Sequence, residues 1–337
     1  MACTGGRELH VGMVQVARAA IAGVAVKTPL IASRCLEGTT KQPVLLKLET
    51  LQPIGAFKLR GAANALSLLG GDERARGVVC CSTGNHGRAV AFAARRVGMR
   101  ATVCLSHLVP EVKISAIEAL GGTVRRVGQS QDEAQFEADR MVREEGLTDI
   151  PPFDHPHVIA GQGTIALEIL EDRPDIETIL VPLSGGGLIG GIALAAKALK
   201  PSIRIIGISM KRGAAMQASL MTGRPVEVEE LPTLADSLGG GIGLRNRWTF
   251  DLCRNLVDDV VLLDESEIYR GMRVLLLEER LVAEGAAAVG HAALLAGKVK
   301  LDGPAAIIVS GQNAPMEQVL AIGRGEPVTL GGLEVKG

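Results

Sequence analysis

The sequence predicts an α/β fold built on two mostly parallel sheets, and three observations carry that expectation. Apolar runs of strand length alternate with segments of helical periodicity along nearly the whole chain. The strand-like runs are apolar at nearly every position rather than at every second one, as strands covered on both faces are. About ten such units recur, more than one sheet comfortably holds, so two sheets are expected.

The elements follow in order. Val44-Leu-Leu-Lys-Leu-Glu49 reads as a strand and Phe57 to Leu69 as a helix. Gly77-Val-Val-Cys-Cys-Ser82 is the next strand and Asn85 to Val97 the next helix. Ala101–Leu105, Thr123–Val127, Thr178–Pro182, Ile203–Ile208, Val260–Leu263 and Ala305–Val309 continue the strand series. Helical periodicity fills segments such as Gly161–Leu170 and Glu265–Leu281. Pro151-Pro152 marks a plausible crossing between two domains. The chain is expected to stop soon after its last strand, without room for an appended regulatory domain.

Composition narrows the function. Aromatic residues make up 2% of 337 residues and hydrophobic ones 47%, so the core must be aliphatic. A net charge of −1 gives no electrostatic case for nucleic acid or an anionic membrane. Six cysteines occur without a CxxC pair, which argues against zinc ribbons and thioredoxin-like motifs. Cys80, Cys81 and Cys104 sit in apolar runs and read as buried, reduced thiols. Residues 1–20 lack a basic start followed by an apolar core, and no apolar run is long enough to span a bilayer. A cytoplasmic, soluble protein is expected.

Four constellations carry chemistry. Ser184-Gly-Gly-Gly-Leu-Ile-Gly-Gly191 follows a strand and opens a helix. Glycines let backbone N–H groups converge there, and the helix N-terminus adds partial positive charge, so the loop suits a phosphate. It also matches GxGxxG through Gly185, Gly187 and Gly190, the mark of a dinucleotide site. The next strand, however, ends Ser209-Met-Lys-Arg212 without the acid that reads a ribose; Lys211 and Arg212 leave an NADP-dependent oxidoreductase as a rival. Lys58, just inside a helix after Pro53-Ile-Gly-Ala, opposes the helix dipole. That is unfavourable for a solvated ammonium and suited to an amine of lowered pKa. Ser82-Thr-Gly-Asn-His-Gly87 offers hydroxyls, an amide and helix N-terminal N–H groups to a carboxylate; alternatively Thr83 or Asn85 is an ordinary helix cap. Val309-Ser-Gly-Gln-Asn313 ends the last strand with small residues that admit a flat ligand, where Ser310 can hydrogen-bond a ring nitrogen. All four lie at or beyond strand C-termini, where open α/β sheets bind ligands.

These strings, in this order, resemble fold-type II pyridoxal-phosphate enzymes, most closely the serine/threonine dehydratase and serine racemase group. The resemblance runs from Lys27-Thr-Pro-Leu30 to Asn313 and includes Lys47-Leu-Glu-Thr, Phe57-Lys-Leu-Arg-Gly61, the Ser82–Gly87 loop and Ala160-Gly-Gln-Gly-Thr-Ile-Ala-Leu-Glu168. Within that group the chain looks most like the hydroxyectoine-utilisation dehydratases. The resemblance implies a tryptophan-synthase-β-like architecture of two domains, each with a central mostly parallel sheet flanked by helices. Residues 1–70 with 155–330 would form the large cofactor-binding domain, and 71–154 a small domain that closes over the site. It implies pyridoxal 5′-phosphate as cofactor, Lys58 as Schiff-base lysine and base, and Phe57 packed on the cofactor. Asn85 would face the ring hydroxyl. Ser82, Thr83 and His86 would hold the substrate carboxylate, with Thr83 also assigned to catalysis. Ser184, Gly185, Gly186, Gly187 and Leu188 would bind the phosphate, and Ser310 would face the pyridine nitrogen. A homodimer acting on a small amino acid is implied.

The sequence departs from the family at three places. Ser184 stands where a glycine is frequent, which a phosphate tolerates. Thr83 replaces the serine that racemases use to handle the proton on the opposite face, and its β-branch stiffens it. Where some relatives hold a divalent cation, this chain has Ser209, Gly213 and Ala215, none of them a carboxylate, so no metal is expected there. The expected reaction is therefore loss of water from a β-hydroxy amino acid, giving a 2-oxo acid and ammonia. Candidate substrates are L-threonine, L-serine, 3-hydroxyaspartate or a hydroxyectoine-derived amino acid. Racemisation, β-replacement and a non-catalytic cofactor-binding protein are the rivals.

Overall fold

The computed structural model describes residues 9–337; Cys3 and the first eight residues of the 1–20 segment lie outside the described residues. Twelve strands form three sheets among them. They are β1 (Leu30–Ala32), β2 (Val44–Leu48), β3 (Val78–Cys81), β4 (Ala101–Leu105), β5 (Thr123–Arg126) and β6 (Thr148–Asp149). The series continues with β7 (Thr178–Pro182), β8 (Arg204–Met210), β9 (Asp259–Leu263), β10 (Ala305–Val309), β11 (Val328–Leu330) and β12 (Leu333–Val335).

The larger sheet has the order β1-β2-β10-β7-β8-β9, with every pairing parallel except the edge strand β1. The smaller, β5-β4-β3-β6, is wholly parallel. Every residue of β2, β3, β7 and β10 is buried, as doubly covered strands require. The expected α/β class with two parallel sheets holds. Three short elements were not anticipated: β1, β6 and the antiparallel β11–β12 hairpin, which continues the chain past β10. Each has only two or three residues, too few to show periodicity. The Glu265 segment also differs, running as an α-helix to Val274 and then through a π-turn, Leu275–Glu279.

With so few aromatics, packing is carried by aliphatic side chains and by close backbone approach. The helix Pro156–Asp172 touches Lys58–Ser67 on one side and Gly187–Leu199 on the other. A Cβ on Gly161 would lie 2.5 Å from the Arg60 carbonyl oxygen, and one on Gly163 would lie 2.7 Å from that of Gly191. The Gly-Gln-Gly string is thus a helix-packing device. It fixes the helix that starts at Lys58 against the one that starts at the glycine loop.

Candidate active site

Parallel pairing puts the C-terminal ends of β2 and β10 side by side, with Leu48 opposite Val309. The chain then turns back on itself. Ala56 bridges Gly311 antiparallel, the Phe57 amide donates to the Ser310 carbonyl at 3.0 Å, and that of Gln312 to Gly55 at 2.9 Å. This ties the residue before Lys58 to Ser310, two residues far apart in sequence. Gly55, at φ +75°, makes the turn possible.

Lys58 is the first residue of its helix, and its Nζ donates to the Pro152 carbonyl at 2.7 Å. It lies 5.3 Å from the Phe57 ring centroid. Burial lowers its pKa to about 8, against the opposing pull of the Glu284 carboxylate. His86 Nε2–H donates to the Ile150 carbonyl at 2.6 Å, and its buried Nδ1 has no partner. Burial first, and then the Lys58 charge, push the His86 ring down to about 3, so it is a neutral imidazole.

Asn85 is held from both sides. Its amide donates to the two Glu284 oxygens at 3.0 and 3.1 Å, and its carbonyl accepts from Asn313 at 2.6 Å. The helix that starts at Asn85 is preceded by Gly84 and has no side-chain cap, so neither Thr83 nor Asn85 is spent on capping. Ser82 and Thr83 are half-buried at the helix mouth, where the Ser82 hydroxyl accepts from the Gly84 amide at 3.4 Å. Ser310 is buried.

The glycine loop follows β7, and the helix Gly187–Leu199 starts inside it. Ser184 is half-buried and Gly185 to Leu188 are buried. Gly186 sits at φ +88°, and a Cβ there would come within 2.8 Å of Met216 Cε and 2.9 Å of Thr249 Cβ. A Cβ on Gly185 would strike the Phe153 ring at 2.5 Å. The loop therefore presents bare backbone at a helix N-terminus, a cradle for an oxyanion.

Sequence reasoning missed Glu284, Asn313 as a partner of Asn85, and the Ile150–Asp154 segment. Glu284 is buried at 4% exposure and stands at the N-cap position of the helix Gly285–Leu295 without a side-chain capping bond. Its signal was present: a lone acid opening a glycine- and alanine-rich apolar run. Burial, the largest influence, raises its pKa to about 7. The Ile150–Asp154 segment left no such signal, because it works through backbone. Ile150 and Pro152 offer carbonyls to His86 and Lys58, while Asp154 accepts from the Arg247, Trp248 and Thr249 amides.

The raised Glu284 pKa makes a prediction. The folded chain binds a proton that the unfolded chain has lost between about pH 4.5 and 7, so stability falls as pH rises through that window and is flat above it. The cofactor-free Glu284→Gln variant is expected to lack this fall. Its stability relative to the parent should grow toward pH 8 by about 3 kcal/mol. Urea unfolding at pH 5 and pH 8 measures it; equal pH dependence in the two proteins would contradict the assignment.

A desolvated lysine, a neutral imidazole and a glycine cradle at a helix N-terminus, all at the strand ends, fit a phosphorylated carbonyl cofactor. The family model described as "Pyridoxal-phosphate dependent enzyme" matches residues 21–311. The chain belongs to that family. A Sinorhizobium fredii protein provisionally named a threonine dehydratase is 56% identical over 92% of this chain and 93% of its own length. The L-threonine ammonia-lyase of Thermotoga maritima is 41% identical over 91% of this chain and 76% of its own. Maize serine racemase superposes with a TM-score of 0.88 at 34% identity, covering 92% of this chain and 95% of that one. The fold is that of the fold-type II enzymes, the cofactor is pyridoxal phosphate, and the enzyme is a lyase of the dehydratase (ammonia-lyase) type. Among the described residues no helix is long and apolar enough to cross a membrane.

Proposed function

We propose that the enzyme removes water from L-threonine or L-serine, releasing ammonia and a 2-oxo acid, with Lys58 as both cofactor anchor and base. The observation that carries this reading is the Lys58 amine: desolvated, with its pKa lowered to about 8, and faced by the Ser82–Gly87 loop. When bound, the cofactor withdraws electrons from the substrate Cα and so makes its proton acidic.

The residues supply the rest. Backbone N–H groups of Ser184 to Leu188 hold the phosphate, Phe57 packs against the ring, Asn85 faces the ring hydroxyl and Ser310 the ring nitrogen. Ser82, Thr83 and His86, the last through its backbone N–H, bind the substrate carboxylate, where hydroxyls and the helix N-terminus that starts at Asn85 provide donors without a full positive charge. Lys58 Nζ would hold the cofactor and, as a free amine, would take the Cα proton. Ser310 would give the ring nitrogen a neutral partner, so the bound cofactor would supply less electron withdrawal than it would beside a carboxylic acid. Thr83, stiffer than serine at χ1, disfavours proton return from the opposite face and hence racemisation.

Residues 1–70 with 155–330 are read as the cofactor domain and 71–154 as the part that closes over it. All five described cysteines are unpaired, which fits a reducing compartment such as the cytoplasm. A homodimer is the assembly proposed.

The test is an assay of L-threonine, L-serine and 3-hydroxyaspartate for ammonia, 2-oxo acid and optical inversion. Stoichiometric ammonia and 2-oxo acid are expected; inversion that outpaces elimination would replace this reading with a racemase. The cradle gives its own prediction. Gly186→Ala should weaken cofactor retention about tenfold or more, because a left-handed φ strains any side chain by roughly 1–2 kcal/mol and a Cβ finds no room. Fluorescence titration of cofactor into the stripped protein measures it, and an unchanged Kd would argue against the loop as phosphate site.

A further inference from the structure

Outside the Lys58 site, three side chains from separate segments meet at one point. Cys35 follows β1, Glu279 ends the π-turn and His291 lies within the helix Gly285–Leu295. Cys35 Sγ is 3.1 Å from Glu279 Oε1 and 3.6 Å from His291 Nε2, and the latter two atoms are 3.4 Å apart. Glu279 and His291 are buried while Cys35 is half-buried, so Cys35 is the most exposed corner of the triangle.

Hydrogen bonding accounts poorly for this arrangement. Ser33 Oγ and the Arg34 amide already donate to Glu279 Oε1, and the amide also reaches Oε2 at 2.9 Å. The thiol and the imidazole then aim at the same oxygen, which has two lone pairs. The spacing, by contrast, suits a cation. Donor atoms roughly 2.0–2.3 Å from a tetrahedral zinc ion are roughly 3.3–3.6 Å from one another. Two of the three edges fall at that length, and the third is a few tenths shorter.

We propose that Cys35, Glu279 and His291 bind one borderline-soft divalent cation of the zinc class, with water as fourth ligand on the Cys35 side. Sulfur and imidazole donors select against magnesium and calcium, which prefer oxygen. Binding forms the metal–sulfur bond and releases the thiol proton to solvent. Thiolate and carboxylate then balance the two positive charges, leaving a neutral buried cluster. Ser33 Oγ and the Arg34 amide remain on the carboxylate as outer donors that orient it. The ion clamps the loop after β1, the π-turn and the helix whose N-cap is Glu284.

The experiment uses the cofactor-loaded enzyme, stripped with chelator and then given Zn²⁺ or Co²⁺ alone. The wild type should retain one equivalent per chain through gel filtration, melt at higher temperature with Zn²⁺ than without, and show a thiolate-to-cobalt charge-transfer band. Cys35→Ser and His291→Gln, each checked for native cofactor absorbance, should lose the retained metal and the melting shift. Zn²⁺ should also protect Cys35 from iodoacetamide, mapped by peptide mass spectrometry, which needs no variant. A wild type that retains no metal, or a Cys35 alkylated equally with and without Zn²⁺, would overturn the site; so would well-folded variants that bind as the wild type does.

Discussion

Lys58→Ala is expected to lower turnover by at least about 10²–10⁴-fold, the range over which a positioned general base acts, and to remove the visible absorption of the lysine-linked cofactor. On the proposed scheme the two losses have one origin, the single nitrogen that would both anchor the cofactor and take the substrate proton. The fold should survive. The Lys58 side chain makes one hydrogen bond, to the Pro152 carbonyl, and burial already disfavours its charge. Lys58→Arg separates charge from basicity, because a guanidinium stays protonated and cannot serve as nucleophile or base; it should be as inactive as the alanine variant. The depressed pKa adds a kinetic signature. Cofactor capture by the stripped wild-type chain needs the free amine, so its rate should rise with pH up to about 8 and flatten above it. Stopped-flow absorbance reads this, and a rate still climbing steeply toward pH 10 would mean that the amine is not desolvated as described.

Much of this site was legible because its parts are short strings at strand ends. The glycine loop, Lys58 and the Ser82–Gly87 loop each announce themselves by residue types that would be costly without a purpose. Glycines at a helix start and a lysine against a helix dipole are of that kind. Glu284 was less legible, since a lone acid says nothing about what it faces until the helix Gly285–Leu295 swings it onto Asn85. The Ile150–Asp154 segment was illegible for a firmer reason: a carbonyl carries no residue identity, and what matters about Pro152 is where its oxygen points. The short strands β1, β6, β11 and β12 failed similarly, being set by their neighbours rather than by their own pattern. Lys47-Leu-Glu, Phe57–Gly61 and Ala160–Glu168 were recognised as strings of one family, but nothing in the strings said that Lys47, Glu49, Arg60, Thr164 and Glu168 converge.

That convergence sets the largest stability effect expected in the molecule. Arg60 is 1% exposed and donates from Nε to Glu49 Oε2 at 2.8 Å, from Nη2 to Glu49 Oε1 at 2.8 Å, and from Nη1 to Glu168 Oε1 at 2.6 Å. It also reaches the Thr164 hydroxyl and the Val26 carbonyl. Lys47 completes the cluster at 2.5 Å from Glu168 and 2.6 Å from the Thr28 carbonyl. Two cations thus meet two carboxylates with no net charge. Burial alone would raise Glu49, but the charge and hydrogen bonds of Arg60 outweigh it and hold the carboxyl below its ordinary range. Lys47 is pushed down by burial. Arg60→Ala strands Glu49 with only the Thr28 hydroxyl and the Gln52 amide, so the cost should be about 3–5 kcal/mol, the range for a buried pair broken from one side. Arg60→Lys should recover little, because an ammonium cannot fork to two carboxylates at once. The stability that Glu49 contributes is present above its ordinary value of 4.5 and lost as pH falls, so the wild type should become more acid-labile there than Arg60→Ala. Urea unfolding at pH 7 and across a series descending well below pH 4.5 tests both statements, and an Arg60→Ala protein as stable as the wild type at pH 7 would show that the network is dispensable. Because Arg60 sits two residues beyond Lys58 on the same helix, the network that stabilises the core also fixes where the reactive amine stands.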